Sequence, residues 1–469
     1  MAPGAVEETA DIVSHVSTTT DLKKDFALDS AKHALDAAIS RYTAANPRSQ
    51  ELHELATGSM PGGNTRTQLH TSPFPLCMRA GEGYQVTSED GVTYTDFVGE
   101  LTAAVYGHSH PVIVKSLIET VTKVGINLGA TIAQEHVHAA AMCERFDLQR
   151  VRFTNCGTEA NIHALAGARA FTGKRKVVVF AGGYHGGVLM FSGGQPAANN
   201  IDRDDFIIAQ YNDVESARAA IAQEGVAAVL VEGMQGGSGA VPGTPEFLKA
   251  VEKAAKEARD PAGVVFILDE VMTSRVAPGG LAAIHGLHPD MKSFGKYLGG
   301  GLAFGAFGGR ADIMATYDPR PQAAGSKPFL THHGTFNNNT LAMHVGHAGL
   351  TEIYTPEVCT DFNAMGERWL RDLAVVTAGT KMCFTGVGTV LGSHFTTEGL
   401  QTIERETAED WTLKELFWYE MMEEGFWITR RGSIALCLGT PESELKRFVA
   451  CVSEFLARHA SLVAVGTKD

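Results

Sequence analysis

The run VVFILDEVMTSR, Val264–Arg275, decides the fold. Its first five residues are all apolar, without the alternation of a strand that faces water on one side, and they stop at the acid pair Asp269-Glu270. A run of that kind predicts a parallel strand covered on both faces. Outward from it, VRFTN (151–155), KVVVFAG (176–182) and VAAVLVEG (226–233) repeat the pattern, with alanine-rich helical segments at 157–172, 213–223 and 245–259 between them. Strands alternating with helices predict an α/β fold on a mostly parallel sheet, which we assign to a large domain, 106–337.

The flanks read differently. Residues 1–28 carry no apolar core run and predict a flexible tail unlike a signal peptide or presequence. A helix is expected from Asp29, capped by Asp29 or Ser30 and stopped by Pro47, and CMRA, GYQVTS and VTYTDF predict a small antiparallel sheet turning at Glu89-Asp90-Gly91. These elements, 29–105, are assigned to the small domain, completed by a C-terminal α+β unit, 338–469, with strands at MCFTGVG, LGSHF and SIALCL.

Composition narrows the partners. A net charge of −14 argues against a general nucleic-acid or anionic-membrane surface and leaves small molecules. No apolar stretch reaches the roughly 18–20 residues that span a bilayer. Seven scattered cysteines without a CxxC pair fit a reducing, cytoplasmic setting, and no His/Asp cluster at ligand spacing predicts a metal.

Ligands of an open α/β sheet bind beyond the carboxyl ends of its strands. The first strand ends in Thr154-Asn155-Cys156-Gly157-Thr158-Glu159 and runs into a helix, which is either a phosphate cradle or simple capping. The second ends at Tyr184-His185, where the tyrosine is either a stacking surface or a rim residue. Asp269 closes the third, needing a cation or proton donor if buried; a structural arginine partner is the alternative. Lys296 follows in SFGKYLGGGLAFGAFGGR (293–310), one lysine among seven glycines, and is either solvated beside a flexible loop or held at a ligand pocket.

That order resembles the pyridoxal-phosphate (PLP) enzymes of fold type I, and more closely the class III aminotransferases, which include the glutamate-1-semialdehyde aminomutases. The matching segments are PGGNTR at 61, YGHSHP at 106, FTNCGTEAN at 153, YHGG at 184, LDEVMTSR at 268, FGKYLGGG at 294 and GTFNNNTLAM at 334. The resemblance implies PLP as cofactor, Lys296 as the Schiff-base lysine and Asp269 as partner of the pyridine nitrogen. It implies further that Tyr184 and Val271 enclose the ring, that His185 and Glu232 lie beside it, and that Cys156, Gly157 and Thr158 hold the phosphate. Thr335 would complete the phosphate site of the other subunit in a homodimer. The glycines around Lys296 are expected to let backbone lie close to a flat cofactor.

TSPFPL at 71, FGAFGGRAD at 304 and the arginines Arg66 and Arg431 look most like the β-amino-acid (β-phenylalanine type) aminotransferases, which implies that both arginines bind carboxylates, whereas the adjacent Arg430 reads as structural. The expected reaction moves an amino group from a β-amino acid to a keto acid such as 2-oxoglutarate or pyruvate. The alternatives are an aminomutase, a transaminase of other amines or α-amino acids, and a PLP-binding protein without turnover. Two positions depart from the family pattern: Cys156 replaces a serine, shifting phosphate binding toward backbone amides, and Gly233 replaces a proline after Glu232, which predicts a looser loop.

Overall fold

The computed structural model describes residues 19–258, 263–320 and 329–465. Its centre is a seven-stranded sheet. In chain order the strands are β1 (Arg150–Thr154), β2 (Lys176–Phe180), β3 (Phe206–Ala209), β4 (Val226–Glu232), β5 (Val265–Asp269), β6 (Met291–Gly295) and β7 (Gly305–Gly309). In space they run β1-β7-β6-β5-β4-β2-β3. Only β7 is antiparallel to its neighbours. Every residue of β4 and β5 is buried, as their unbroken apolar runs predict, because helices cover both faces. The helices Gly157–Thr172, Val214–Ile221 and Pro245–Lys256 fall on the three alanine-rich segments.

Three strands escaped the sequence pattern. β3 is short; β6, MKSFG, carries the buried Lys292, whose ammonium is satisfied by the carbonyl of Phe146 at 2.7 Å. β7, GAFGG, is nearly bare backbone. A Cβ on Gly308 would strike the carbonyl of Arg150, and one on Gly309 that of Asp290. Glycine is used here to squeeze a strand between two others, so the β-propensity signal is absent.

The small antiparallel sheet forms as expected from Met78–Glu82, Gln85–Ser88 and Thr93–Asp96, and gains Phe426–Trp427 as a parallel fourth strand. Met382–Val387, Val390–Phe395 and Ser433–Ala435 make another sheet. One apolar cluster joins Ala38 and Tyr42 of the first helix to Phe97, Trp418 and Phe448, so the N-terminal elements pack with the C-terminal ones.

The first helix runs Thr19–Ala45, beginning before Asp29, so the proposed tail boundary at 28 lies within it; residues 1–18 lie outside the described residues. Pro47 does more than stop it. Proline cannot continue a helix but suits the first position of the next, and Pro47–Thr57 is a second helix.

Candidate active site

Strand register brings the predicted residues together. Asp269 is level with Glu232 on one side and Ser293 on the other, Gly295 is level with Gly305, and Gly305 with Thr154. The carboxyl ends of β1, β4, β5 and β6 therefore open into one cavity of about 1040 Å³. Cys156, Gly157, Thr158, Tyr184, His185, Glu232, Asp269, Val271, Lys296, Arg66 and Arg431 all line it. Thr335 does not: it is exposed on the wall of a separate cavity of about 350 Å³, shared with residues 127–131.

The floor is tightly built. Asp269 Oδ2 accepts from Asn161 Nδ2 at 2.7 Å and from His185 Nδ1 at 2.8 Å, and Oδ1 accepts from the Val271 amide at 3.0 Å. A carboxylate can only accept, which makes Nδ1 the donor. Burial opposes a charge on His185, but the hydrogen bond and charge of Asp269 outweigh it and raise its pKa. Burial pushes Glu232 up to about 7, although its oxygens accept from the amides of Tyr184 (2.8 Å) and Gly236 (3.0 Å).

Lys296 has the left-handed φ of +58° and donates from Nζ to the carbonyl of Leu101 at 2.6 Å. Burial brings its ammonium down to about 8, against the pull of Asp269 and Glu232. The carbonyl that holds it belongs to an unusual turn. Gly99, Glu100, Leu101 and Thr102 all have positive φ, between 45° and 79°. Such residues cost on the order of 1–3 kcal/mol each outside glycine, so the surroundings must impose the turn. Asp96 accepts from the amides of Val98 and Gly99, and the fully buried Arg275 donates to Thr102 O at 3.0 Å and Leu436 O at 2.6 Å.

The phosphate cradle predicted at Gly157-Thr158 is the start of a 16-residue helix whose N-cap, Cys156, makes no side-chain bond. The first amides of a helix have no acceptor within it and favour an anion. Val271 lies so close that a Cβ on Gly157 would meet its methyl groups at 2.8 Å. Tyr184 is 37% exposed and lines the same cavity. An anion cradle, an acceptor floor and a partly buried amine on one cavity fit the phosphate, ring nitrogen and aldehyde ends of PLP.

The arginines differ. Arg66 pairs with Glu100 at 2.7 Å at the cavity mouth. The guanidinium of Arg431 is half-buried and has no hydrogen bond or ion pair among the described residues; burial lowers its pKa while Tyr184 pulls the other way. Arg430 pairs with Glu415 at 3.4 Å, in keeping with a structural role.

Two expectations need correction. Most glycines near Lys296 make room for protein: a Cβ on Gly299 would enter Phe304, one on Gly300 the backbone of Val345, and one on Gly305 the carbonyl of Cys156. Nor does Gly233 loosen its loop. It is buried under Leu281 with no space for a Cβ, and its carbonyl accepts from Gly243 at 2.9 Å across the short ladder of Met234–Gln235 with Val241–Pro242. Two groups escaped the sequence. Asn161 sits four residues after Gly157, one turn along the same helix face, which is a usable signal; the 99–102 turn has none, because nothing in GELT announces left-handed backbone.

Residues 67–441 match the family model Aminotransferase class-III. An uncharacterized aminotransferase of Schizosaccharomyces pombe is 46% identical over 92% of this chain and 97% of its own. The β-phenylalanine transaminase of Variovorax paradoxus is 43% identical over the same shares. The crystal structure of a β-phenylalanine aminotransferase from that organism superposes with a TM-score of 0.88 at 42% identity, covering 93% of this chain and all of the other. A transaminase solved with PLP bound superposes at 0.77 and 27% identity, over 88% of this chain and 98% of its own. With the cavity already shaped for that cofactor, the comparisons and the geometry agree: the chain belongs to the class III aminotransferases and is a PLP-dependent transaminase.

Proposed function

We propose that this transaminase takes its amino group from a β-amino acid of the β-phenylalanine class and passes it to a keto acid, 2-oxoglutarate or pyruvate. The observation that carries the reading is Arg431: a half-buried guanidinium without an anion, in the same cavity as Lys296. A buried charge without a partner is costly, so the site is completed by a carboxylate that arrives with the substrate. The V. paradoxus relative supports the donor class.

PLP supplies the electron sink that stabilises negative charge when the amine-bearing carbon loses its proton. Asp269, fixed by Asn161, His185 and the Val271 amide, keeps the pyridine nitrogen protonated. Lys296 would carry the cofactor, and the burial that brings its ammonium down to about 8 would favour its amine as a base for moving the substrate proton. The Gly157 and Thr158 amides, with the Thr158 hydroxyl, hold the phosphate; Cys156 adds little. Tyr184 and Val271 would enclose the cofactor ring, with His185 and Glu232 beside it in the same cavity. Arg66 and Arg431 divide the donor and acceptor carboxylates.

Thr335 completes the phosphate site of a second copy in a homodimer. Its exposure supports this, together with the exposed apolar face of Ile118, Val121, Ile126 and Leu128 near the exposed Phe336. Seven free cysteines support a cytoplasmic setting. Purified, PLP-loaded protein should be screened with β-amino and α-amino donors under each keto acid. Preference for β-amino donors supports the proposal; turnover of a single amino-aldehyde substrate without any acceptor would replace it with an aminomutase.

A further inference from the structure

We propose that Lys414 is a specificity-determining residue: its buried ammonium, set behind the turn that carries Arg431, adds a second positive charge toward the substrate carboxylate and favours charged over uncharged substrates. The inference rests on the reading of Arg431 as a carboxylate-binding group. Arg431 stands on the turn 429–433, where Gly432 has the left-handed φ of +84°. The Thr429 hydroxyl closes the turn, donating to the carbonyl of Ser433 at 3.0 Å and accepting from its amide at 2.7 Å. Lys414, from helix Trp411–Glu423, is 4% exposed and fills the space behind the turn: a Cβ on Gly432 would come within 3.0 Å of its Cε. Glycine at 432 lets Lys414 approach the backbone beside Arg431.

The charges behind the turn do not balance. Lys414 Nζ donates to Glu409 Oε1 at 3.0 Å, His394 Nδ1 meets the same oxygen at 2.7 Å, and Glu409 Oε2 accepts from the Phe395 amide at 2.9 Å. His394 Nε2 lies 3.0 Å from the carbonyl of Gly239 and 2.9 Å from the Thr385 hydroxyl, which itself donates to that carbonyl. A carboxylate and a carbonyl can only accept, so both ring nitrogens of His394 carry hydrogens and the ring is cationic. His394, Lys414 and Arg431 therefore share one carboxylate. Burial pushes Glu409 up, but His394 and Lys414 outweigh it and hold its pKa at about 2. Burial lowers the pKa of Lys414 against the pull of Glu409, and Arg431 lowers it further, as one cation facing another does. The neighbouring Arg430 is already paired with Glu415, and the Trp411 ring, 5.1 Å from the Lys414 ammonium, brings no counter-charge. Buried positive charge in excess is costly until an anion arrives, and a carboxylate can reach it from the cavity, whose wall Arg431 and Ser433 line. Lys414 thereby turns the cavity toward amino and keto acids and away from plain amines.

The test uses PLP-loaded protein and two unreactive probes of similar shape, butyrate (charged) and butyramide (uncharged), titrated calorimetrically into the wild type, Lys414→Met, Glu409→Gln and Arg431→Ala. Lys414→Met should weaken butyrate relative to butyramide by about three- to tenfold, the scale of one partly neutralised charge acting through protein. Glu409→Gln breaks the same ion pair from the other side but removes an anion, so it should bind butyrate at least as tightly as the wild type. A purely structural pair would make both variants weaken both probes together. Butyrate weakened by Arg431→Ala but not by Lys414→Met, or weakened by Lys414→Met and Glu409→Gln alike, overturns the proposal and leaves the Arg431 reading standing. Butyrate binding indifferent to Arg431→Ala overturns that reading and the proposal with it. Should Lys414→Met fail to fold, Lys414→Gln makes the same comparison, because its neutral amide can still donate to Glu409.

Discussion

Asp269 and Arg66 line one cavity, and they are held in opposite ways. Asp269 is 5% exposed and fastened by three donors from three different segments; Arg66 has one partner and stands on an exposed loop. The floor is preorganised, as a site must be when geometry has to be met to within about half an ångström. The mouth is provisional, because it must accept chemically different molecules in turn. The contrast predicts that floor substitutions act on the chemical step, that mouth substitutions act on binding, and that the first outweigh the second.

Lys296→Ala should have the largest effect. Loss of both the cofactor bond and the proton-moving amine should lower turnover by about 10⁴-fold or more, with a far-UV spectrum like that of the wild type. Borohydride reduction of PLP-loaded wild type followed by peptide mapping should leave the label on Lys296. Label on another residue would remove the floor from the mechanism.

Asp269→Asn comes next. An amide cannot hold the ring proton as an ion pair, and loss of a charge-assisted bond should weaken PLP by about 1.5–3 kcal/mol. Turnover should fall further than affinity. Asn161→Ala, which leaves Asp269 with two donors, should lie between Asp269→Asn and the wild type in both readouts. Near-normal turnover in Asp269→Asn would mean that another group governs the ring nitrogen.

Arg431→Ala against Arg66→Ala measures the mouth directly. Removing the half-buried, unpaired Arg431 should cost about 2–5 kcal/mol in whichever half-reaction uses it. Removing the exposed, already paired Arg66 should cost no more than about 1 kcal/mol. Single-turnover kinetics with donor and then with keto acid separates the halves. Equal, small losses in both would make the arginines surface groups.

How much of this was legible follows the same division. Strands β2, β4 and β5 announce themselves because burial on both faces demands apolar runs, and the strand-end residues follow from their order. β7 is silent because its constraint is steric: Gly308 and Gly309 are chosen for what they lack. The glycines around Lys296 carried a true signal, close approach, but the sequence cannot say what approaches. The 99–102 turn is held by Asp96, three residues before Gly99, and by Arg275, 173 positions from Thr102. A clamp as distant as Arg275 leaves no local pattern.

The smallest expected effect sits where floor and mouth meet, at Cys156. This residue is exposed, lines the cavity, and occupies the N-cap of helix Gly157–Thr172 without a side-chain bond. Serine at an N-cap accepts from the amide two or three residues on, which thiol sulfur does poorly, and its hydroxyl can also donate to a phosphate oxygen. The two contributions are separable. Capping acts with or without cofactor, so Cys156→Ser should raise the melting temperature of cofactor-free protein, with a gain of about 1 kcal/mol. Donation to phosphate acts only when PLP is bound, and should tighten PLP by about two- to tenfold, the range of one neutral hydrogen bond. Thermal melts without PLP and absorbance titrations with it measure the pair. A higher melting temperature with unchanged PLP affinity would mean that the Gly157 and Thr158 amides carry the phosphate unaided, and that the floor of this site extends to the cradle as well.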